Sequence, residues 1–193
     1  MINRAHFFAS VRASLFDGML SQAHVSNTEG ILDCALQNAL SVQQIAYVLA
    51  TTYHETAHTM SPIKEYGLGK GYDYGKLLDM GKGPGQRVPY SDPPHLYYGR
   101  GYVQLTWRSN YAGVGKKIGQ DLLNHPELAL LPSIAAQILV RGMASGWFTG
   151  KRLSEYFTPT GADPVRARRI VNGLDKAELI AGYYTKFLHA LTC

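Results

Sequence analysis

After Ser41 the apolar positions Val42, Ile45, Ala46, Leu49, Tyr53 and Ala57 recur at helical spacing. Ser41 with Gln44 three residues on is a capping-box signature, so a helix is predicted to open there, carry His54, Glu55 and His58 near its end, and stop before Pro62. Residues 4 to 15 and 26 to 39 show the same periodicity, as does "PSIAAQILVRGMASGWF" at 132 to 148, where Gly142 and Gly146 imply close packing or fraying. Asp163 followed by Pro164 predicts a short helix ending at Gly173. Asp175 with Glu178 predicts a capping box for a last helix whose stripe is Ile180, Tyr183, Tyr184, Phe187, Leu188 and Leu191.

The two ends of the chain thus read as helix and the middle does not. Between 61 and 105 the sequence is dense in Gly, Pro and Tyr, and seven of the thirteen tyrosines fall between Tyr66 and Tyr102. A loop-rich stretch of that length inside a compact domain points to function. "YGLGKGYDYG" and "HLYYGRGY" alternate aromatics with glycines instead of following a core period, which suits rings that stack on sugars, Tyr66 among them, as well as rings that cover the core. A short strand is predicted at "YYGRGYVQLT". The fold class that follows is mainly α, with a loop-rich, slightly β segment forming a substrate cleft, in a single catalytic domain over 1–193.

Composition narrows the classes. Hydrophobic residues at 46% against 17% charged residues exclude a disordered chain. The formal charge of +5 suits an anionic partner such as a bacterial envelope. Nucleic acid is not expected, because the basic residues are scattered and the cluster "RARR" at 166 to 169 matches no binding motif. Two cysteines, Cys34 and Cys193, without Cys-x-x-Cys spacing predict reduced thiols. The opening "MINRAHFFASVRASLF" is too polar for a signal peptide or a membrane span, so no stable membrane insertion is expected.

"HETAH" at 54 to 58 spells the H-E-x-x-H of zinc peptidases, in which two histidines four apart share a helix face. Such a site also needs a third protein ligand. Where one zinc pattern requires Gly and His, this chain has Ser61 and Lys64; a second pattern wants a downstream Glu, and only Asp79 lies near that distance. A metal-free role is therefore expected, with the histidines orienting Glu55 or the neighbouring loop. A zinc-dependent peptidase or amidase using His54, Glu55 and His58 stays open as the alternative.

Glycoside hydrolysis needs one carboxyl group to protonate the leaving oxygen and a second to handle the nucleophile. Glu55 and Glu65 would stand about 15 Å apart on a continuous helix, too far for the roughly 6.5–9.5 Å of an inverting pair. Pro62 breaks the helix, and the chain is expected to fold back with Glu65 facing Glu55 across a cleft. Thr106 in "VQLTW" is placed to hold a water.

"AYVLATTYHETAHT", "YYGRGYVQLTWRSNY", "RRIVNG" and "IAGYYTKFLHAL" together resemble glycoside hydrolase family 19, the chitinase-like group of the lysozyme superfamily, and its compact bacteriophage endolysin branch. The resemblance runs from about residue 41 to the end, and "YYGRGYVQLT" is its most specific part. It implies that Glu55 is the general acid, that Glu65 is the base, and that Thr106 orients the attacking water. His54, Tyr66, Tyr98, Arg100, Gln104, Asn110 and Asn172 become the substrate-binding set. Plant members carry an arginine in the last helix that helps to set carboxylate charge. Ile180 occupies roughly that place here, and Arg100 or Lys64 is the expected substitute.

The activity implied is inverting hydrolysis of the β-1,4 glycan backbone of peptidoglycan, without metal or cofactor, by a monomer. Chitin is the rival substrate, and a non-catalytic wall-binding module the rival class. The endolysin branch further implies accumulation in the host cytoplasm and passage to the cell wall when a holin opens the membrane.

Overall fold

The computed structural model describes residues 2–81 and 86–193; residues 82–85, part of the loop-rich stretch predicted at 61 to 105, lie outside the described residues. Among the described residues there are six α-helices, α1 (Arg4–Leu15), α2 (Gln22–Gln37), α3 (Val42–Glu55), α4 (Arg108–Ile118), α5 (Pro132–Ser145) and α6 (Ala177–Thr192). Three two-stranded antiparallel sheets accompany them: β1 (Ile63–Lys64) with β4 (Arg100–Gly101), β2 (Leu78–Met80) with β3 (Arg87–Pro89), and β5 (Phe157–Thr158) with β6 (Gly161–Ala162). The fold is mainly α. None of the described helices is long and apolar enough to cross a membrane.

The chain divides into two compact units, one made of the residues up to Ser61 together with Leu139–Cys193, the other of Pro62–Ile138. In the first, α3 and α6 pack along each other with α1 beside α6. Every residue from Ile45 to Tyr53 is buried, so α3 is enclosed over its middle turns. Its neighbours there include Phe187 and Tyr184 of α6, whose rings meet those of Tyr53 and Tyr47. Phe7 of α1 stacks on Phe187 at 6.4 Å. Gly142 is where the C-terminal part of α5 admits Phe148: a Cβ on it would meet that ring at 2.3 Å.

The capping box read from Ser41 is formed. The Ser41 hydroxyl accepts from the Gln44 N–H at 3.3 Å, and the Gln44 side chain accepts from the Ser41 N–H at 3.1 Å. Replacing Ser41 by Ala removes one of these caps and is expected to cost about 1 kcal/mol of stability. A denaturant titration reads this as a lower midpoint at unchanged slope.

The box expected from Asp175 and Glu178 is not formed. Lys176 precedes α6 in the left-handed region at φ 57° with no side-chain cap, and the Asp175 carbonyl instead accepts from Arg168 Nε. The helix predicted over 163 to 173 is a tighter 3₁₀ turn, Arg166–Ile170, with Asp163 capping the Arg166 N–H at 2.9 Å. α2 begins four residues ahead of its expected start, because Ser21 and His24 make a capping box of their own.

The second unit contains α4, which was not expected, and the tyrosine-rich segment. Tyr97, Tyr102 and Tyr111 are each buried to 1% exposure or less and form its core with Leu105, Val114 and Leu122. Tyr66 at 90% and Tyr72 at 57% exposure face solvent. The alternation of aromatics and glycines therefore splits between core and surface. Cys34 is buried on α2 and Cys193 is exposed, and both are free thiols.

Candidate active site

Glu55 is the last residue of α3, and the way that helix ends defines its surroundings. The His58 N–H bonds back to the Tyr53 carbonyl and the Ala57 N–H to that of His54, the two bonds of a Schellman cap, with Ala57 at φ 48° where glycine is usual. Thr56 strengthens the stop by donating from its hydroxyl to the Thr52 carbonyl and accepting from the Met60 N–H. The helix thus ends seven residues before Pro62.

His58 consequently has left the helix. Its backbone sits at φ 69°, its ring stacks flat on Tyr53 at 4.0 Å and 9°, and its Nε2 lies 3.3 Å from the Tyr183 hydroxyl. The spacing that would set His54 and His58 on one helical face has no helix to act through. Among the described residues no cluster of three or more His, Cys, Asp or Glu side chains is placed to hold a metal ion. "HETAH" here reads as a helix terminator whose second histidine supplies the apolar contact of the cap.

The Glu55 side chain is 17% exposed, and its Oε1 accepts from Arg168 Nη1 at 2.5 Å. Arg168 is 4% exposed and also donates from Nε to the Asp175 carbonyl at 3.1 Å. It comes from the 3₁₀ turn of "RARRI". The cation that pairs with Glu55 is Arg168 rather than Arg100 or Lys64, the expected substitutes, while Ile180 is a fully buried core residue of α6. Tyr47 and Thr51 precede Glu55 at spacings of four on the same helix and are buried. Burial holds the His54 imidazole below its ordinary value, against the opposing pull of the Glu55 charge. Asn172, exposed, turns its Oδ1 onto the Gly173 N–H at 2.8 Å.

In the second unit Glu65 follows β1 and is held from two sides. The Tyr74 hydroxyl donates to its Oε1 and the Gly99 N–H to its Oε2, both at 2.9 Å, while its own N–H donates to the Gly99 carbonyl at 2.8 Å. A glycine suits position 99 because a Cβ there would stand 2.7 Å from Gln104 Oε1. Gln104, at φ 53°, donates from Nε2 to the carbonyls of Ile63 and Gly101 and so ties β1 to β4.

Arg100, expected to touch substrate, is 6% exposed. Its guanidinium lies 3.7 Å over the Tyr98 ring and donates to the Leu96 and Tyr98 carbonyls and to the Tyr111 hydroxyl. Those bonds turn it inward, so it braces the loop that presents Gly99, and one face of Tyr98 is covered by it. Thr106 lies in the turn ahead of α4, and Asn110 in the first turn of that helix, both part-exposed. Tyr66 stands free beside Glu65 in sequence.

The model of the chitinase class I family, glycoside hydrolase family 19, matches residues 16–152. The chain belongs to that family. Among family 19 proteins it is 33% identical to endochitinase 3 of Nicotiana tabacum over 110 residues, 55% of this chain and 31% of that one. It is 30% identical to the basic endochitinase of Vitis vinifera over 135 residues, 63% of this chain and 41% of that one. The matches thus span well under half the length of these plant relatives. The fold is that of two solved family 19 structures: a bacterial family 19 chitinase, at TM-score 0.64, 22% identity and coverage of 99% of this chain and 95% of that one, and chitinase C from Streptomyces griseus, at 0.65, 23%, 98% and 76%.

Proposed function

We propose that this family 19 chain is a glycoside hydrolase of β-1,4-linked N-acetylhexosamine polymers, working by inversion with Glu55 as acid, Glu65 as base and Thr106 holding the water. The observation that carries the reading is the fixing of Glu55 by Arg168. Oε1 is engaged by the guanidinium, which leaves Oε2 to meet the glycosidic oxygen. An acid must sit within hydrogen-bond reach of the atom it protonates, and a side chain gripped at one oxygen presents the other in one orientation.

Glu65 takes one hydrogen bond on each oxygen. A carboxylate has about four lone-pair sites, so a lone pair remains on each oxygen to accept a proton from water. Inversion follows when a base deprotonates water on the face of the sugar opposite the leaving group. His54, Tyr66, Tyr98, Asn110 and Asn172 are assigned to sugar contacts on this reading.

Among such polymers the glycan backbone of bacterial peptidoglycan is the proposed substrate, cut by an endolysin that collects in the host cytoplasm and reaches the wall through a holin lesion. The formal charge of +5 supports attraction to an anionic envelope. Chitin is the second reading, favoured by the names of the plant and bacterial relatives.

Mass spectrometry of the soluble products from purified peptidoglycan and from chitin oligosaccharides, each digested with and without a strong chelator, separates these readings. New reducing sugar ends from peptidoglycan that persist in chelator are expected. Cleavage of chitin alone would move the substrate to the second reading, and freed peptide or amide ends that vanish in chelator would overturn the glycosidase.

A further inference from the structure

Tyr74 lies in "YGLGKGYDYG", outside the segments that carry the family resemblance, and its hydroxyl is one of the two donors on the Glu65 carboxylate. Its position is built rather than incidental. The next residue, Gly75, lies so close to Gly69 that a Cβ there would stand 1.9 Å from the Gly69 carbonyl oxygen, so only a glycine pair lets the chain cross at that point. The Tyr74 ring is then packed on two sides. Tyr72 stacks on it at 5.1 Å and 7°, and Trp107 meets it edge-on at 5.5 Å.

Trp107 is itself held at φ 72°, a region rarely used by a bulky side chain. Its N–H donates to the Tyr97 carbonyl, and the Arg87 guanidinium lies 4.5 Å over its ring while pairing with Asp73. Backbone strain of this kind persists only where the surroundings over-determine it. Here it sets the wall against which Tyr74 rests, one residue after Thr106.

We infer that Tyr74 is a positioning residue for hydrolysis: its hydroxyl, opposite the Gly99 N–H, fixes the plane in which the Glu65 carboxylate meets the attacking water. The inference rests on the assignment of Glu65 as base. A backbone N–H and a phenol gripping one oxygen each leave the carboxylate no free rotation about its last bond. The Tyr74 donor is the one that a substitution can remove. Burial and the bond to Glu65 hold the phenol above its ordinary value, so it keeps its proton throughout the neutral range. Among the described residues, Tyr72 acts on Tyr74, and Tyr111, whose hydroxyl accepts from Arg100, interacts with the Glu65 charge.

The test is Tyr74→Phe, assayed for kcat and KM across pH on the glycan cleaved by the wild type, with Glu65→Gln and the double variant in parallel. A lost bond to a charged group should lower kcat about ten-fold with KM within about two-fold. A hydroxyl that donates to a carboxylate favours its ionised form, so the acidic limb of the profile should move to higher pH. In the Glu65→Gln background the second substitution should add little, since both act through one group.

Wild-type kcat and profile in Tyr74→Phe would overturn the inference, as would a change confined to KM, which marks a sugar platform instead. Wild-type turnover in Glu65→Gln removes the base, and the role of Tyr74 with it, and is told apart by that variant alone. Should Tyr74→Phe melt well below wild type, p-fluorophenylalanine at position 74 fills the hydroxyl's space without its proton, and the same outcomes apply.

Discussion

Glu55→Gln should fold as the wild type does and turn over its glycan ~10² to 10⁴ times more slowly. The amide oxygen of glutamine can still accept from Arg168, so the hydrogen bond survives the exchange, while the buried guanidinium loses its counter-charge and some stability goes with it. What is lost is a transferable proton. A single cooperative melt above the assay temperature, combined with initial rates of reducing-end release, separates chemistry from folding. Near wild-type turnover by this variant would remove Glu55 as the acid, whatever the fate of Glu65.

Arg168→Met is expected to damage stability and catalysis together. Its guanidinium is almost wholly buried between Glu55 and the Asp175 carbonyl, and removing one member of a buried pair strands the other. Such losses run to about 3–5 kcal/mol; the partial exposure of Glu55 should bring the value toward the lower end. Turnover should also drop, because Glu55 then samples several rotamers. Arg168→Lys keeps the charge but cannot bridge two acceptors with a planar fork, and an intermediate effect follows. The decisive comparison is the double variant Glu55→Gln with Arg168→Met. If the pair is coupled as the geometry indicates, its destabilisation is smaller than the two single losses added together. Strict additivity in urea titrations would show that Arg168 acts through Asp175 alone.

How much of this was legible beforehand depends on where each signal lives. The periodicity of α3, α5 and α6 and the Ser41 cap are local, and α3 opens where its cap residues place it. α4 was missed because "RSNYAGVGKKIG" carries two interior glycines, which weaken the helical signal. Gly115 is nevertheless needed inside that helix, since a Cβ there would meet the Gln120 carbonyl oxygen at 2.5 Å. The end of α3 was placed too late for a similar reason: Pro62 is a visible stop, whereas a Schellman cap built on Ala57 has no glycine to announce it.

The partners of the carboxylates were the least legible part. Glu55 and Arg168 are 113 positions apart, and nothing in either local pattern joins them. The cluster "RARR" was weighed only as a nucleic-acid signal, and only the burial of Arg168 beside exposed Arg166 and Arg169 reveals which member is spent inside. Arg100 was misread in the opposite direction. Its motif is a family signature, and recurrence in a signature says nothing about whether a side chain points out to ligand or in to scaffold. Tyr74 lay within a recognised tyrosine-rich run, without any feature to single it out from Tyr72 or Tyr66.

The two free thiols bear on how the molecule can be handled. With Cys34 enclosed and Cys193 open, no covalent cross-link contributes to stability, and the melting point should be the same with or without a reductant. A chain of this kind can be synthesised in a reducing compartment and work in an oxidising one without any change in its covalent framework. In practical terms, Cys193 is a single reporter position: a maleimide dye should label the native protein once, and a second equivalent should react only as unfolding releases Cys34.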